Sequence, residues 1–418
     1  AFDKINDGTH QGDISIKIKH STTEPATAVL NGSEGVANYS SINIYPTETG
    51  LSISGDLTAP LIDLNGADNV TIDGRVNATG TTKDLNIINT STGSVTGTSA
   101  IRFINDASSN TVKYCTIKSS ETRATSGIIF FSTTTETTGN DNNTIEFNDI
   151  TNAVDANRPV NAIYSLGTVG KDNSENIISN NNIFDFLKHA SASKGIFLSS
   201  NTTAWTIDGN SFYETSSFSP TGTVTFEVIK IDNVSGNGFI VSNNYIGGTA
   251  AQCGGTAWTK TNSTNNLFRA IYLEVGTTVA SSVQNNTIQN FNWSNSGIAN
   301  WLGIKVVEGD VNIGTSTGNT IGAITGTNSI SVTGGTNGQT IYGIRLESTG
   351  EINCNNNSIG SLTGLTTATY STHIYGIYLA GSAVINITNN TIGSTSTASS
   401  IYASSASTAN VQKVYGIY

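Results

Sequence analysis

Short apolar runs alternate with polar ones along most of the chain, and no stretch keeps a helical period of 3.6 residues for three turns. Val384-Ile385-Asn386-Ile387 and Ile344-Arg345-Leu346 alternate with period two, the mark of a half-buried strand. Ile14, Ile16 and Ile18 alternate in the same way with Ser15, Lys17 and Lys19. The apolar positions are mostly β-branched, and the chain has only five prolines, four of them before residue 160. Strands that hydrogen-bond on both edges need uninterrupted donors, so scarce proline fits a stacked arrangement.

These runs repeat. One phrase is Asn-Asn-x-Ile or a close variant, with its final apolar residue at Ile145, Ile183, Phe212, Ile246, Ile288, Ile321, Ile359 and Ile392. A degenerate copy ends at Ile117. The other is a small residue followed by Ile and alternating apolar positions. Its Ile recurs at 128, 163, 196, 229, 271, 304, 344, 377 and 417, with spacings from 33 to 42 residues. The segment from this phrase to the Asn phrase is nearly constant in length, and the return segment varies, which predicts one fixed side and one side carrying variable loops. A motif that recurs in every unit is architecture before it is chemistry.

The physical solution is a solenoid: an all-β, single right-handed parallel β-helix of about 11 to 12 coils, each strand pairing with its equivalent about 4.8 Å away in the next coil. Residues 1–100 read as irregular early coils, and 101–418 as regular ones. Each coil must turn corners, and Asn tolerates the left-handed backbone that a tight corner needs. Gly209 and Gly318 stand where other units have the first Asn, which predicts positive φ there. The second Asn, stacked on its copies, predicts an amide ladder through Asn143, Asn181, Asn244, Asn286, Asn319, Asn357 and Asn390. Tyr342, Tyr375 and Tyr415 recur in the same phrase and predict a stack of rings.

Composition narrows the functions. Of 418 residues, 36% are hydrophobic and 12% charged, against a usual charged share of about 25%. The net charge is −11, with no Lys/Arg-rich run, which excludes the clustered cations that nucleic acid needs as a partner. No apolar run approaches the roughly 20 residues of a membrane-inserting helix. Cys115, Cys253 and Cys354 are isolated, with no zinc-type spacing, and read as inert thiols; Cys354 replaces an Ile of the repeat. The chain has no Met and no signal peptide, and KVYGIY at 413–418 stops within a repeat, which reads as a processed chain or a segment of a longer protein.

NVTIDG (Asn69–Gly74), followed by coils with Asn corners, resembles the pectate-lyase-like superfamily of right-handed parallel β-helices. The whole chain also resembles the long repeat surface proteins that bacteria export through the type IX system, in AFDKINDGTHQGDI, GLSISG, LIDLNGADNVTIDGR and CGGTAWTK. The resemblance implies an extracellular or cell-surface protein, and its motifs are structural. The C-terminal sorting domain that such proteins carry is not found in these residues.

Three functional readings follow. The first is a structural or adhesive rod that presents loops to a glycan or cell-surface partner. The second is a polysaccharide lyase or hydrolase, for which the resemblance implies acids with a basic residue, or paired carboxylates. Its candidates are Asp149, Asp155 and Arg158 in one loop and Asp185 and Lys188, beside His189, in another. Solvated loop charge is the competing reading of both groups. The third is a fibre subunit associating end to end through unpaired sheet edges. Trp258, Trp293 and Trp301 fall in return segments, where exposed rings can stack on sugars or cover core, whereas Trp205 sits at strand spacing and reads as core. No cofactor is implied apart from calcium, which the DKINDG stretch leaves open. DKINDG at Asp3 approaches a calcium loop but has Ile5 where a ligand is wanted.

Overall fold

The structure is a computed structural model that describes residues 1–93, 97–367, 369–382 and 384–418. The chain is a right-handed parallel β-helix, and among the described residues each of three faces is a sheet of twelve strands. It divides into two compact units, Ala1–Phe186 with Ile196–Asn210, and Leu187–Gly195 with Ser211–Tyr418.

In the first unit the first face runs from Gly12–Ile18 through Tyr39–Pro46, Val70–Asp73, Thr111–Lys113, Thr144–Glu146 and Ile177–Ser179 to Thr206–Asp208. Its register keeps one interior column, in which Ile16 pairs with Ile44, Ile44 with Ile72, Ile72 with Val112, Val112 with Ile145 and Ile145 with Ile178. Because side chains alternate across a strand, the residues on either side of this column point outward. The second and third faces of the unit repeat the scheme, with Ile87, Ile117 and Ile150 in one column and Ile62, Ile101 and Ile129 in the other.

The second unit has the same three faces and adds a fourth sheet, Trp258–Lys260, Phe291–Asn295, Ile330–Gly334, Leu362–Thr366 and Ile401–Ser405. This corrects the expectation of loops in the return segments: there the longer return carries a further strand. Trp258, Trp293 and Trp301 all begin or occupy strands, and each is 0% exposed. They pack around Phe268, with ring centroids at 5.9, 4.8 and 5.6 Å. Rings so enclosed offer no face to a sugar, so the ligand-binding reading of these tryptophans is replaced by a core one. Trp205, in the first unit, is equally buried and donates its indole N–H to Asn173 O at 2.8 Å.

The corners carry amide ladders. Asn319 donates both its backbone N–H and its Nδ2 to Asn357 Oδ1, at 3.0 and 2.8 Å, and its second Nδ2 hydrogen goes to Val283 O at 2.9 Å. The pattern repeats from Asn244 to Asn286, from Asn286 to Asn319 and from Asn357 to Asn390. The preceding Asn in most of these units, Asn243, Asn285, Asn356 and Asn389, has φ between 51° and 58°. In the first unit the equivalent ladder is Asn148, Asn181 and Asn210.

Two expectations of detail change. Asn143 stands in a different ladder, Asn110–Asn143–Asn176, one corner earlier, because Ile145 pairs with Ile178 while Ile150 is the partner of Ile183. The phrase DNNT at 141–144 mimics the corner sequence, and the true counterpart, FNDI at 147–150, has Phe147 at the left-handed position with φ 56°. Gly209 has φ 68°, whereas Gly318 lies outside the left-handed region. What requires glycine at 318 is a close approach: a Cβ there would sit 1.9 Å from Asn356 O.

Candidate functional site

On the first unit, the strand Val70–Asp73 is followed by Arg75 and a single 3-10 turn, Val76–Ala78, that packs back against Tyr39–Pro46. The turn needs unusual backbone: Asn77 and Ala78 have φ of 50° and 55°. Such conformations persist only where surrounding structure holds them, and they concentrate at sites of function. Here the turn overhangs the outer side of the first face and leaves a cleft of about 390 Å³, lined by Ser15, Asn43, Tyr45, Thr71, Asp73, Arg75 and Lys113 among others. The size is that of a small-ligand pocket.

The floor follows from register. Ser15, Asn43 and Thr71 pair in one outward column. Asp73 pairs with Lys113 in the next, and Lys113 with Glu146, which lies outside the cleft lining. Arg75 grips Asp73 in a two-pronged pair, Nε to Oδ1 at 2.8 Å and Nη2 to Oδ2 at 2.5 Å, and Nη1 donates to Gly80 O at 3.1 Å. The Asp73 carboxylate beside it is the largest cause holding the guanidinium above its ordinary value, so Arg75 is a fixed cation. Its plane lies 4.4 Å from the Tyr114 ring centroid, and Tyr114 stacks on Phe147 at 5.0 Å and 7°. Both aromatic residues occupy the left-handed corner position that Asn fills elsewhere, with φ 52° and 56°. Bulky side chains are disfavoured there, and the stack with Arg75 is the compensation visible in the structure.

Arg158, itself only 3% exposed, ties Asp155 at 2.7 Å and approaches Asp185 at 3.7 Å. Asp149 is not part of that group. It takes an ion pair from Lys83 and a hydrogen bond from Asn182 Nδ2 at 2.8 Å. Lys188 lies in the second unit, where burial pushes its ammonium down and its backbone N–H donates to Ser193 Oγ at 2.8 Å. A guanidinium cannot act as a base while it is fixed on two carboxylates, so Asp155, Arg158 and Asp185 form an ion-pair group. DKINDG folds as the helix Phe2–Asn6 and the turn after it, with the Asp7 carboxylate taken by Lys4 Nζ and Thr9 N–H, both at 2.9 Å, which corrects the calcium-loop reading. Among the described residues no group of three or more His, Cys, Asp or Glu side chains is placed to hold a metal ion.

On the second unit Tyr342, Tyr375 and Tyr415 stack at 5.1 and 5.2 Å with planes within 11°. Their faces are turned on one another, and Tyr378 and Tyr418 pack against the stack in T-shaped contacts. The outer third face beside them is rich in charge, but in pairs: Arg269 with Glu227 at 2.6 Å, Lys230 with Asp232 at 2.7 Å, Arg345 with Glu347 at 2.6 Å.

Sequence reasoning singled out NVTIDG as a family-like phrase and did not assign Asp73, Arg75, Lys113 or Glu146 to a site. The available signal was positional: Asp73, Lys113 and Glu146 each follow directly after an interior Ile or Val of the same column.

No family model matches the chain, and no curated protein matches it. Among solved structures, the catalytic unit of a thermostable GH87 alpha-1,3-glucanase from Streptomyces thermodiastaticus strain HF3-3 is similar at 13% identity, with a TM-score of 0.33. A GH87 alpha-1,3-glucanase catalytic-domain variant in complex with nigerose is similar at 13% identity with a TM-score of 0.18. In both cases 96% of this chain is covered and 66% of the other, so the chain spans just under two thirds of their length. Similarity at this level carries no argument about activity.

Proposed function

We propose that this chain is an extracellular structural and adhesive β-helix that holds a polysaccharide strand against the outer first face of its first unit. The observation that carries the reading is the cleft under the Val76–Ala78 turn. Its floor presents hydroxyl, amide and charged groups at strand spacing, mostly on the strands Tyr39–Pro46, Val70–Asp73 and Thr111–Lys113, which are paired on both sides. Sugars are recognised by such fixed donors and acceptors. The single carboxylate lining the cleft, Asp73, is occupied by Arg75, which suits binding better than acid–base work.

A hydrolase is the second reading, favoured by one feature. Asp73 and Glu146 share an outward column two strands apart, roughly 10 Å by strand spacing. That is near the wide end of the separation at which two carboxylates admit a water between them. Glu146 has no ion-pair partner among the described residues.

The test is a panel of neutral and acidic polysaccharides scored for retention of the protein and for chain cleavage, with and without calcium. Retention without cleavage, lost in Lys113→Ala and kept in Trp301→Phe, is the expected result. Cleavage abolished by Asp73→Asn and by Glu146→Gln would install the hydrolase. Neither retention nor cleavage of any polysaccharide would remove the cleft as the functional surface.

A further inference from the structure

The longest repeat in the chain, 42 residues from Ile229 to Ile271, contains the strand Trp258–Lys260, whose alternation puts Trp258 and Lys260 inside. Lys260 is 1% exposed and pairs in register with the buried Trp293. A buried ammonium normally demands a carboxylate. Lys260 has none within 4.0 Å among the described residues. Its Nζ is instead surrounded by neutral oxygens. It donates to Asn262 O at 2.8 Å, to Thr264 O at 2.5 Å, to Ser294 O, and reaches Asn295 Oδ1 at 3.4 Å. The Trp293 ring centroid lies 5.7 Å away on a further side.

We propose that these oxygens form a monovalent-cation site built into the coil, of the size that holds potassium or ammonium, and that the chain fills it with its own Lys260 ammonium. Three observations converge on this. The oxygens come from two separate segments, the connection 261–266 and the strand Phe291–Asn295, so the cation joins parts of the chain about 30 residues apart. Carbonyl and amide oxygens without a carboxylate are the donor set that replaces the hydration shell of a weakly hydrated monovalent ion. Asn295 is fixed independently, accepting Asn266 N–H at Oδ1 (3.0 Å) and donating Nδ2 to Asn266 O (3.1 Å), so the cage does not owe its shape to the lysine alone. Burial pushes the Lys260 ammonium down to about 7, and the surrounding oxygens, as hydrogen-bond acceptors, favour its charged form.

The test shortens the tether. In Lys260→Ala the ammonium is gone and the oxygens remain. Thermal unfolding of this variant is followed in potassium, ammonium, lithium and choline chlorides at equal ionic strength, beside the wild type and Lys260→Met. The expected result is a saturable rise in Tm for Lys260→Ala in potassium and ammonium only. The wild type and Lys260→Met, whose stem still fills the volume, should show no such selectivity. A folded Lys260→Ala with the same Tm in all four salts overturns the proposal, as does a failure to fold in every salt. A variant that folds in potassium or ammonium but not in choline supports it. An equal response in the wild type assigns the ion effect to another place and also overturns it.

Discussion

Asn319 offers the sharpest test of what holds the coils together. It is 0% exposed, and its Oδ1 accepts both the backbone N–H of Asn286 at 3.0 Å and Asn286 Nδ2 at 2.9 Å. In Asn319→Ala the Asn286 backbone N–H loses its partner outright, and Asn286 Nδ2 keeps only Val241 O. Val283 O loses Asn319 but retains Gly314 N–H. Two stranded buried donors at about 1–3 kcal/mol each give a destabilisation of about 3–5 kcal/mol once the lost side-chain volume is included. The outward ladder supplies the control. Asn353 makes amide–amide bonds of similar length, from its Nδ2 to Asn312 Oδ1 at 3.0 Å and from Asn386 Nδ2 to its Oδ1 at 2.9 Å, but water can replace both. Asn353→Ala should therefore cost under about 1 kcal/mol. Asn319→Asp keeps the shape and the acceptor but sets an oxygen against Asn357 Oδ1, now 2.8 Å from a donor, and should cost at least as much as alanine. Urea unfolding followed by circular dichroism gives the energies, and hydrogen exchange at the Asn286 amide locates them. The reasoning fails if Asn319→Ala costs less than about 1 kcal/mol, or no more than Asn353→Ala.

Two further predictions concern the corners. Gly209→Asn keeps a left-handed residue that Asn tolerates, and its Cβ would meet only the movable end of Asn180, so the cost should be under about 1 kcal/mol. Gly318→Asn drives a Cβ into a backbone carbonyl and should cost about 2 kcal/mol or more; equal Tm shifts for the two would count against the distinction. In the first unit burial, the largest cause, raises Asp68 and Asp141 above the ordinary carboxylate value of 3.8, against bonds from Ser108 N–H and Ser174 N–H. A raised folded value means that the folded state binds these protons more tightly. Their contribution is complete below 3.8 and is lost as pH rises through the folded values. The wild type should thus gain stability from mild acid relative to the Asp68→Asn, Asp141→Asn double variant, measured as the difference in urea midpoint between pH 7 and pH 4.5. An identical pH slope in both proteins would sink the assignment.

The coil was legible because its signals are local. Period-two runs, recurrent Ile and paired Asn all lie within a few residues of one another, and each follows from backbone geometry that any coil must satisfy. What the sequence did not yield depended on distances between coils. DNNTI and NNNIF look alike, and only the pairing of Ile145 with Ile178 shows that they stand at different corners and that Asn143 belongs to another ladder. A return segment of changing length looks like a loop, whereas a fourth parallel sheet takes up Trp258 and Trp293 as strand and Trp301 opens a strand of the third face. The cleft shows the same limit most clearly. Tyr45, Asp73 and Lys113 lie 28 and 40 residues apart, with different neighbours, and nothing local marks them as a set. They become neighbours because each takes the outward place after an interior residue of one column. In a solenoid, therefore, function is written at fixed offsets from the core ladder, and reading it means indexing every outward residue by coil and column before asking which chemistry converges. Indexed in this way, the first face of the first unit gathers Tyr45, Asp73 and Lys113 under the Val76–Ala78 turn, and that convergence is what the polysaccharide panel interrogates.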